Sequence, residues 1–165
     1  MRLSALEKYN REHPKDILKN ARNAAAGAIR NLDPKVTAQR NLDVVFYSNG
    51  YEEGLQVHSQ TQLVKFLQEN GMLTNYVFKR AKTFEEVKAV INYIGEKRSS
   101  FDFLIDGVVI KINDFAVREK LGYTDKFPKW AIAYKFDAEQ VTTKLNQVEW
   151  QVGRTGKLTP IGKLD

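Results

Sequence analysis

The feature that most constrains this chain is an apolar run at residues 104–112 that contains two charged side chains. Asp106 is followed by a glycine near the start of the run, and Lys111 lies near its end. A strand that only fills a core needs neither charge, because a buried charge costs on the order of several kcal/mol unless it is paired. We therefore predict that this run is an active-site strand.

A second strand with a lysine is predicted at residues 130–136, where bulky and small side chains alternate. Ala131, Ala133 and Lys135 share the small face, and Lys111 also stands on the less bulky face of its own strand. Two lysines can be buried close together only with an anion between them, and a phosphate would supply that charge. The alternative, left open at this stage, is that both lysines reach solvent at a sheet edge.

An alanine-rich segment at residues 19–30 favours a helix whose small side chains allow a ligand or another backbone to approach closely. Arg22 and Arg30 lie two helical turns apart on the same side of this helix. Two fixed guanidinium groups on such a helix could bind phosphates. A packed helix with two solvated arginines explains the same pattern, so both interpretations stay open here.

Sequence patterns elsewhere predict further helices and strands in mixed order. Capping boxes at Ser4 and Thr83 predict two helix starts. Arg98 follows the second of these helices, where a cation suits the helix dipole. Tyr47 ends a predicted strand and could stack on a base or simply pack. Further helices are expected at residues 59–69 and 115–121, and strands at residues 42–47 and 75–80.

The composition narrows the functional classes. The net charge of +6 and the pI of about 9.4 favour a polyanionic partner such as nucleic acid or nucleotide phosphates. The absence of cysteine excludes disulfides and thiolate metal sites. No apolar run approaches the roughly 18 residues of a membrane span, so we expect a cytoplasmic protein with no membrane partner. Neither histidine has a recognisable metal or triad partner, which leaves lysines, arginines and one Asp-Gly pair, a set suited to phosphate handling.

Four segments together resemble, in order and spacing, the adenylation (nucleotidyltransferase) domain of bacterial NAD-dependent DNA ligases. They are residues 20–34, 105–111, 130–136 and 151–156. The resemblance implies an α+β nucleotidyltransferase fold of the DNA ligase and mRNA-capping type, with mostly antiparallel sheets flanked by helices. Residues 1–138 would form the C-terminal part of the adenylation domain. Residues 139–165 would be a linker and the first strands of an incomplete OB-fold.

The resemblance also implies an enzyme of DNA replication and repair. Such ligases seal nicked duplex DNA: a lysine takes AMP from NAD, the AMP passes to the 5′-phosphate, and the 3′-hydroxyl displaces it. The implied cofactors are NAD and Mg²⁺, and the implied partners are nicked duplex DNA, NAD or AMP, and the remainder of the ligase chain.

Roles for individual residues follow from the same resemblance. The expected catalytic residues are Asp106, which would also be the Mg²⁺ ligand, Lys111 and Lys135. The expected nucleotide-binding residues are Tyr47, which would stack on adenine, Lys111, Lys135 and Arg98. The expected phosphate- and DNA-binding residues are Arg22, Arg30 and Arg154.

The chain departs from the family at the nucleophile. The family uses the lysine of a Lys-x-Asp-Gly motif, but Leu104 stands at that position before Asp106. Lys163 opens a partial copy of the motif and follows residues 151–156, so its place would be in the OB domain. We expect that this polypeptide alone cannot adenylate itself. The alternatives are a non-catalytic, basic nucleic-acid-binding module derived from a ligase, or another lysine nucleotidyltransferase of the RNA ligase or capping type.

Overall fold

The computed structural model describes residues 1–137 and 140–165, which form helices and short antiparallel strands in mixed order. This mixture confirms the α+β class. None of the helices in the described ranges has both the length and the apolar character needed to cross a membrane. In chain order the elements are α1 (Leu3–Glu12), α2 (Ala21–Ile29), α3 (Pro34–Gln39), α4 (Gln60–Glu69), α5 (Phe84–Lys97), a 3₁₀ turn (Arg98–Ser100), β1 (Gly107–Lys111), α6 (Phe115–Leu121), β2 (Ala131–Lys135), β3 (Leu145–Val152) and β4 (Leu158–Leu164).

Side-chain caps fix where several helices begin. The Asn20 side chain accepts hydrogen bonds from the backbone N–H groups of Arg22 at 2.8 Å and Asn23 at 3.2 Å, which starts α2. Thr83 accepts a hydrogen bond from the Glu86 N–H at 3.2 Å, which starts α5 at the predicted position. The second half of the predicted capping box differs, because the Glu86 carboxylate accepts from the Lys82 N–H instead of the Thr83 N–H. Each cap satisfies amide groups that the first helical turn leaves free. The predicted positions of α2, α4, α5 and α6 are therefore confirmed to within a residue or two.

The predicted capping box at Ser4 is wrong. Helix α1 begins at Leu3, and its N-cap residue Arg2 makes no side-chain cap. Ser4 instead bonds to Asp102: its backbone N–H donates to Oδ1 at 2.8 Å, and its hydroxyl donates to Oδ2. A carboxylate acceptor from a distant part of the chain is stronger than a local neutral one, so the tertiary contact replaces the local box.

The most buried residues belong to helices rather than to strands. Leu63 on α4 is 1% exposed. On α2 the buried side chains are small, which lets the chain approach that helix closely, while Arg22 and Arg30 remain exposed at its surface. The buried apolar residues are Tyr9, Ala21, Ala24, Ala28, Leu63, Val64, Leu67 and Ile94.

Strands β1 and β2 form an antiparallel pair that carries both strand lysines. Gly107 lies opposite Lys135, and Lys111 lies opposite Ala131. Because opposed residues of an antiparallel pair share a face, both lysines project from the same face. They stand at opposite ends of the pair, about 13 Å apart along the strands. Gly107 is required at its position, since a Cβ there would lie 2.2 Å from the carbonyl oxygen of Tyr134.

The predicted strands at residues 42–47 and 75–80 are wrong, because the structure gives both segments irregular backbone. The Phe46 N–H donates to the Leu73 carbonyl oxygen at 2.8 Å, but in the described part of the chain no regular series of paired residues extends this bond. An extended apolar segment becomes a strand only when a second segment pairs with it along its length, and that partner is not written in the local pattern. Tyr47 therefore lies in irregular chain beside a single backbone hydrogen bond.

Strands β3 and β4 form the hairpin that the sequence predicts near the C-terminal end. The Gly153 N–H donates to the Lys157 carbonyl oxygen at 2.8 Å, and Gly156 adopts φ +80° in the turn. The expected boundary between residues 138 and 139 lies outside the described residues. One face of the hairpin is apolar and exposed; it carries Leu145, Val148, Trp150, Val152, Leu158 and Leu164.

Candidate functional site

The β1–β2 pair presents its two lysines beside two different partners. Lys111 approaches an aromatic ring, and Lys135 approaches a carboxylate. The residues between them on the shared face are small or exposed, and Val109 is 62% exposed. The sheet face therefore leaves room for a ligand between two cations on flexible four-carbon stems.

The first contact joins Lys111 to Tyr47. The Lys111 Nζ atom lies 5.0 Å from the centroid of the Tyr47 ring, within the range of a cation–π interaction. Burial, and secondarily the neighbouring Arg118 guanidinium, lower the pKa of Lys111 below its ordinary value. Tyr47 itself is 60% exposed, so most of its ring surface remains available to a flat ligand. This ammonium is held against an aromatic surface without a carboxylate partner among the described residues.

The second contact joins Lys135 to Asp106. The Lys135 Nζ atom lies 2.5 Å from Asp106 Oδ2, and both side chains are largely exposed. The hydrogen bond and charge of Lys135 lower the pKa of the Asp106 carboxyl, and the charge of Arg22 adds to this effect. The structure thus brings together two of the residues predicted from the sequence, Asp106 and Lys135, and the charge of Arg22 on α2 acts on the same carboxylate.

The other predicted arginines are more dispersed. The Arg98 Nη1 atom donates to the carbonyl oxygen of Asp137 at 3.2 Å, two residues beyond Lys135. Arg30 is the C-cap of α2, and Arg154 lies in the exposed turn of the β3–β4 hairpin. Within residues 1–137 and 140–165, neither Arg30 nor Arg154 forms an ion pair with Asp106. Their predicted contacts are with phosphates outside the chain, and these stay predictions.

The predicted Mg²⁺ site depends on which side chains lie around Asp106. In the described ranges, no group of three or more histidine, cysteine, aspartate or glutamate side chains could hold a metal ion. Asp106 offers one carboxylate, and Lys135 already occupies one of its oxygens. Mg²⁺ is commonly bound by one or two carboxylates together with substrate phosphates and water. These residues do not form a magnesium site by themselves.

Sequence reasoning missed two residues that contact this site. The Gln60 Nε2 atom donates to the carbonyl oxygen of Tyr47 at 3.1 Å. Arg118 donates through Nη2 to Gln60 Oε1 at 2.9 Å. These contacts join residues that are 13 and 58 positions apart. No local spacing could reveal them, because Gln60 follows a helix cap and Arg118 is one charge on a short helix.

The comparisons with known proteins agree on one family. The profile described as the NAD-dependent DNA ligase adenylation domain matches residues 1–139. The whole chain is 56% identical to a protein named DNA ligase from Finegoldia magna, of which it covers 25%. It is 52% identical to the DNA ligase of Alkaliphilus metalliredigens and 50% identical to DNA ligase 2 of Clostridium acetobutylicum, of which it covers 25% and 24%. The chain therefore spans about a quarter of the length of the curated relatives it matches.

Proposed function

Because the chain belongs to the NAD-dependent DNA ligase adenylation domain family, we propose that it is part of an enzyme that seals nicks in duplex DNA. The observation that carries this proposal is the pair of lysines on one face of β1–β2, one beside an aromatic ring and one beside a carboxylate. An adenylate has a flat base, which suits the aromatic ring beside Lys111, and a phosphate, which suits the ammonium of Lys135. Retention of Asp106 argues against a simple nucleic-acid-binding module, since phosphate binding has no need of a carboxylate.

The proposed work of these residues is to bind and orient AMP. Tyr47 offers a surface on which adenine stacks, and the Lys111 ammonium lies beside the same ring. Lys135 and Arg22 stabilise the phosphate charge that develops during adenylyl transfer, and Arg98 supports the segment that follows Lys135. The proposed cosubstrate NAD supplies the adenylyl group. A Mg²⁺ ion would need phosphate oxygens in addition to Asp106.

The architecture we propose is the nucleotidyltransferase fold followed by the start of an OB-fold. The family profile ends at residue 139, close to the boundary we propose between residues 138 and 139. The β3–β4 hairpin has the antiparallel pairing that a first OB hairpin requires. Arg154 at its turn, together with Arg22 and Arg30, would bind backbone phosphates of DNA. A chromosomal DNA substrate would also require the enzyme to act in the cytoplasm.

Titration of the 165-residue chain with AMP tests the nucleotide site. We expect chemical-shift changes at Tyr47 and Lys111 in NMR spectra, and we expect the variant Lys111→Met to bind AMP at least about tenfold more weakly, a change of about 1.4 kcal/mol. Lys88→Met is the matched control, because Lys88 also lies over an aromatic ring, Phe84, at 4.9 Å. If the chain bound nicked DNA without any response to AMP, it would be a binding module and the proposal would be wrong.

Incubation with NAD and Mg²⁺ followed by mass spectrometry tests the reaction itself. The 165 residues contain one Asp-Gly pair, at residues 106–107, and no Lys-x-Asp-Gly sequence. We expect no covalent AMP on this polypeptide, because the family's nucleophile is the lysine of that motif. A gain of one AMP on any lysine would contradict the expectation that this polypeptide alone cannot adenylate itself.

A further inference from the structure

A buried glutamine connects the Tyr47 backbone to helix α6. Gln60 is 6% exposed, and both polar atoms of its side-chain amide have partners. Nε2 donates to the Tyr47 carbonyl oxygen at 3.1 Å, and Oε1 accepts from Arg118 at 2.9 Å. The reverse orientation of the amide would face oxygen with oxygen and nitrogen with guanidinium. A buried amide without its partners costs on the order of 1–3 kcal/mol, so the two contacts hold Gln60 and Tyr47 together.

Arg118 fixes the other side of the same contact. Its Nε atom donates to the carbonyl oxygen of Ile112 at 2.6 Å, and Ile112 directly follows Lys111. Its guanidinium carbon lies 4.6 Å from the Phe115 ring centroid and 4.4 Å from that of Trp130. One planar group therefore holds the end of β1 and, through Gln60, the backbone of Tyr47. A lysine could not reproduce this arrangement, because a single ammonium lacks the fork and the flat face of a guanidinium.

Tyr47 needs such anchors because it lies outside regular secondary structure. Its neighbour Phe46 donates one backbone hydrogen bond to Leu73, and the Tyr47 carbonyl accepts from Gln60. The Lys111 Nζ atom nevertheless lies 5.0 Å from the Tyr47 ring centroid. We propose that Arg118, acting through Gln60, is a positioning residue that holds the Tyr47 ring and the Lys111 side chain together as one ligand-binding surface.

This inference rests on the proposed function for its purpose but not for its geometry. Arg118 acts through other residues and is not expected to touch the nucleotide. Loss of Arg118 should separate Tyr47 from Lys111 in the free chain. It should therefore weaken AMP binding, even though the two residues that contact the ligand are unchanged. The separation of Tyr47 from Lys111 and the loss of AMP affinity can be measured independently.

The first experiment measures the ring-current shift of the Lys111 ε-methylene protons by NMR, without any ligand. We expect an upfield shift in the wild-type chain that falls by at least about half in Arg118→Met and in Gln60→Met. The shift of Lys88 over Phe84 serves as an internal control, because that contact lies within α5. A wild-type chain without the Lys111 shift, or variants that retain it fully, would overturn the proposal.

A conservative variant separates positioning from charge and from folding. Arg118→Lys keeps the positive charge but loses the fork, so we expect the ring-current shift to stay low while the dispersed spectrum of a folded chain is kept. Charge repulsion from Arg118 contributes to the lowered pKa of Lys111. The pKa should therefore rise in Arg118→Met, which loses this charge, and rise less in Arg118→Lys, which keeps it. Full recovery of the ring-current shift in Arg118→Lys would show that charge alone suffices, which contradicts the proposal.

The second experiment measures AMP affinity by calorimetry in the same variants. We expect about a tenfold loss in Arg118→Met and no change in Arg11→Met, an exposed arginine at the end of α1. If the wild-type chain shows the Lys111 shift but binds no AMP, the proposed function fails and the positioning role stands. If it binds AMP and Arg118→Met binds equally well, the positioning role fails and the proposed function stands.

Discussion

At the scale of single residues, the two lysines of the β1–β2 pair differ in their surroundings more than in their chemistry. Lys135 lies in solvent beside Asp106 and forms a charge pair. Lys111 is partly buried against Tyr47 and next to Arg118. The sequence places each lysine on the less bulky face of its own strand, and the structure pairs the two strands so that both lysines share one face. The sequence could not assign the partners of the two lysines, because those partners come from distant positions in the chain.

Titration of Lys111 is the prediction that belongs to this scale. Burial destabilises its ammonium form in the folded state, so the folded-state pKa lies below that of an unfolded lysine. The destabilisation is present in full while both states are protonated, and it is relieved as the pH rises through the folded-state pKa. We expect NMR titration of the Lys111 ε-carbon to give a lower pKa than the same lysine in an unfolded peptide. Equal values would show that the Lys111 side chain is not buried in the folded chain.

The Asp106 carboxyl titrates in the acidic range, unlike Lys111. Its pKa is lowered by Lys135, so the ion pair persists above the ordinary carboxyl pKa and is lost as the pH falls through the lowered value. We expect the Asp106 carboxyl carbon to titrate at a lower pH in the wild-type chain than in Lys135→Met. Identical titration curves would contradict the direct pairing of these two side chains.

At the scale of elements, the local patterns of helices were more informative than those of strands. Helices α2, α4, α5 and α6 carry their caps and their apolar spacing within their own sequence. Strands depend on a partner elsewhere in the chain. The local patterns at residues 42–47 and 75–80 therefore predict strands where the structure has irregular backbone. At the candidate site the sequence predicts β1 and β2, but it does not predict the contacts of Gln60 and Arg118, whose partners lie far along the chain.

Replacement of Gly107 tests how closely β1 and β2 must approach each other. A Cβ at this position would lie 2.2 Å from the Tyr134 carbonyl oxygen and 3.1 Å from the Lys135 Cα atom. We expect Gly107→Ala to destabilise the chain by about 1–3 kcal/mol, because the strand backbone would have to move. Urea denaturation measures the change.

Gly27→Ala serves as the control for Gly107→Ala, because nothing lies within 4 Å of a Cβ at Gly27 in helix α2. We expect the control to leave the free energy of unfolding unchanged or to raise it, since alanine favours helix more than glycine does. Equal stability of Gly107→Ala and the wild-type chain would show that the strands can separate freely.

At the scale of the whole molecule, the excess of positive charge should govern the binding of DNA. The net charge is +6, and Arg22, Arg30 and Arg154 are the residues proposed to meet phosphates. Each neutralised phosphate of duplex DNA contributes about 0.9 to the slope of log affinity against log salt concentration. We expect Arg154→Met to reduce that slope by about 0.9 in fluorescence anisotropy with nicked duplex DNA. An unchanged slope would remove Arg154 from the DNA contacts, and Arg11→Met is the matched control.

The two tryptophans are intrinsic fluorescence probes of two different regions of the chain. Trp130 stacks on the Arg118 guanidinium at 4.4 Å, whereas Trp150 is 66% exposed on the β3–β4 hairpin. Their fluorescence should therefore report on different regions: Trp130 on the neighbourhood of the proposed nucleotide-binding surface, and Trp150 on the hairpin. Replacing Trp150 with phenylalanine would leave a single emission band that follows the region around β1 and α6. Changes around β1 and α6 could then be followed by Trp130 fluorescence without an added label.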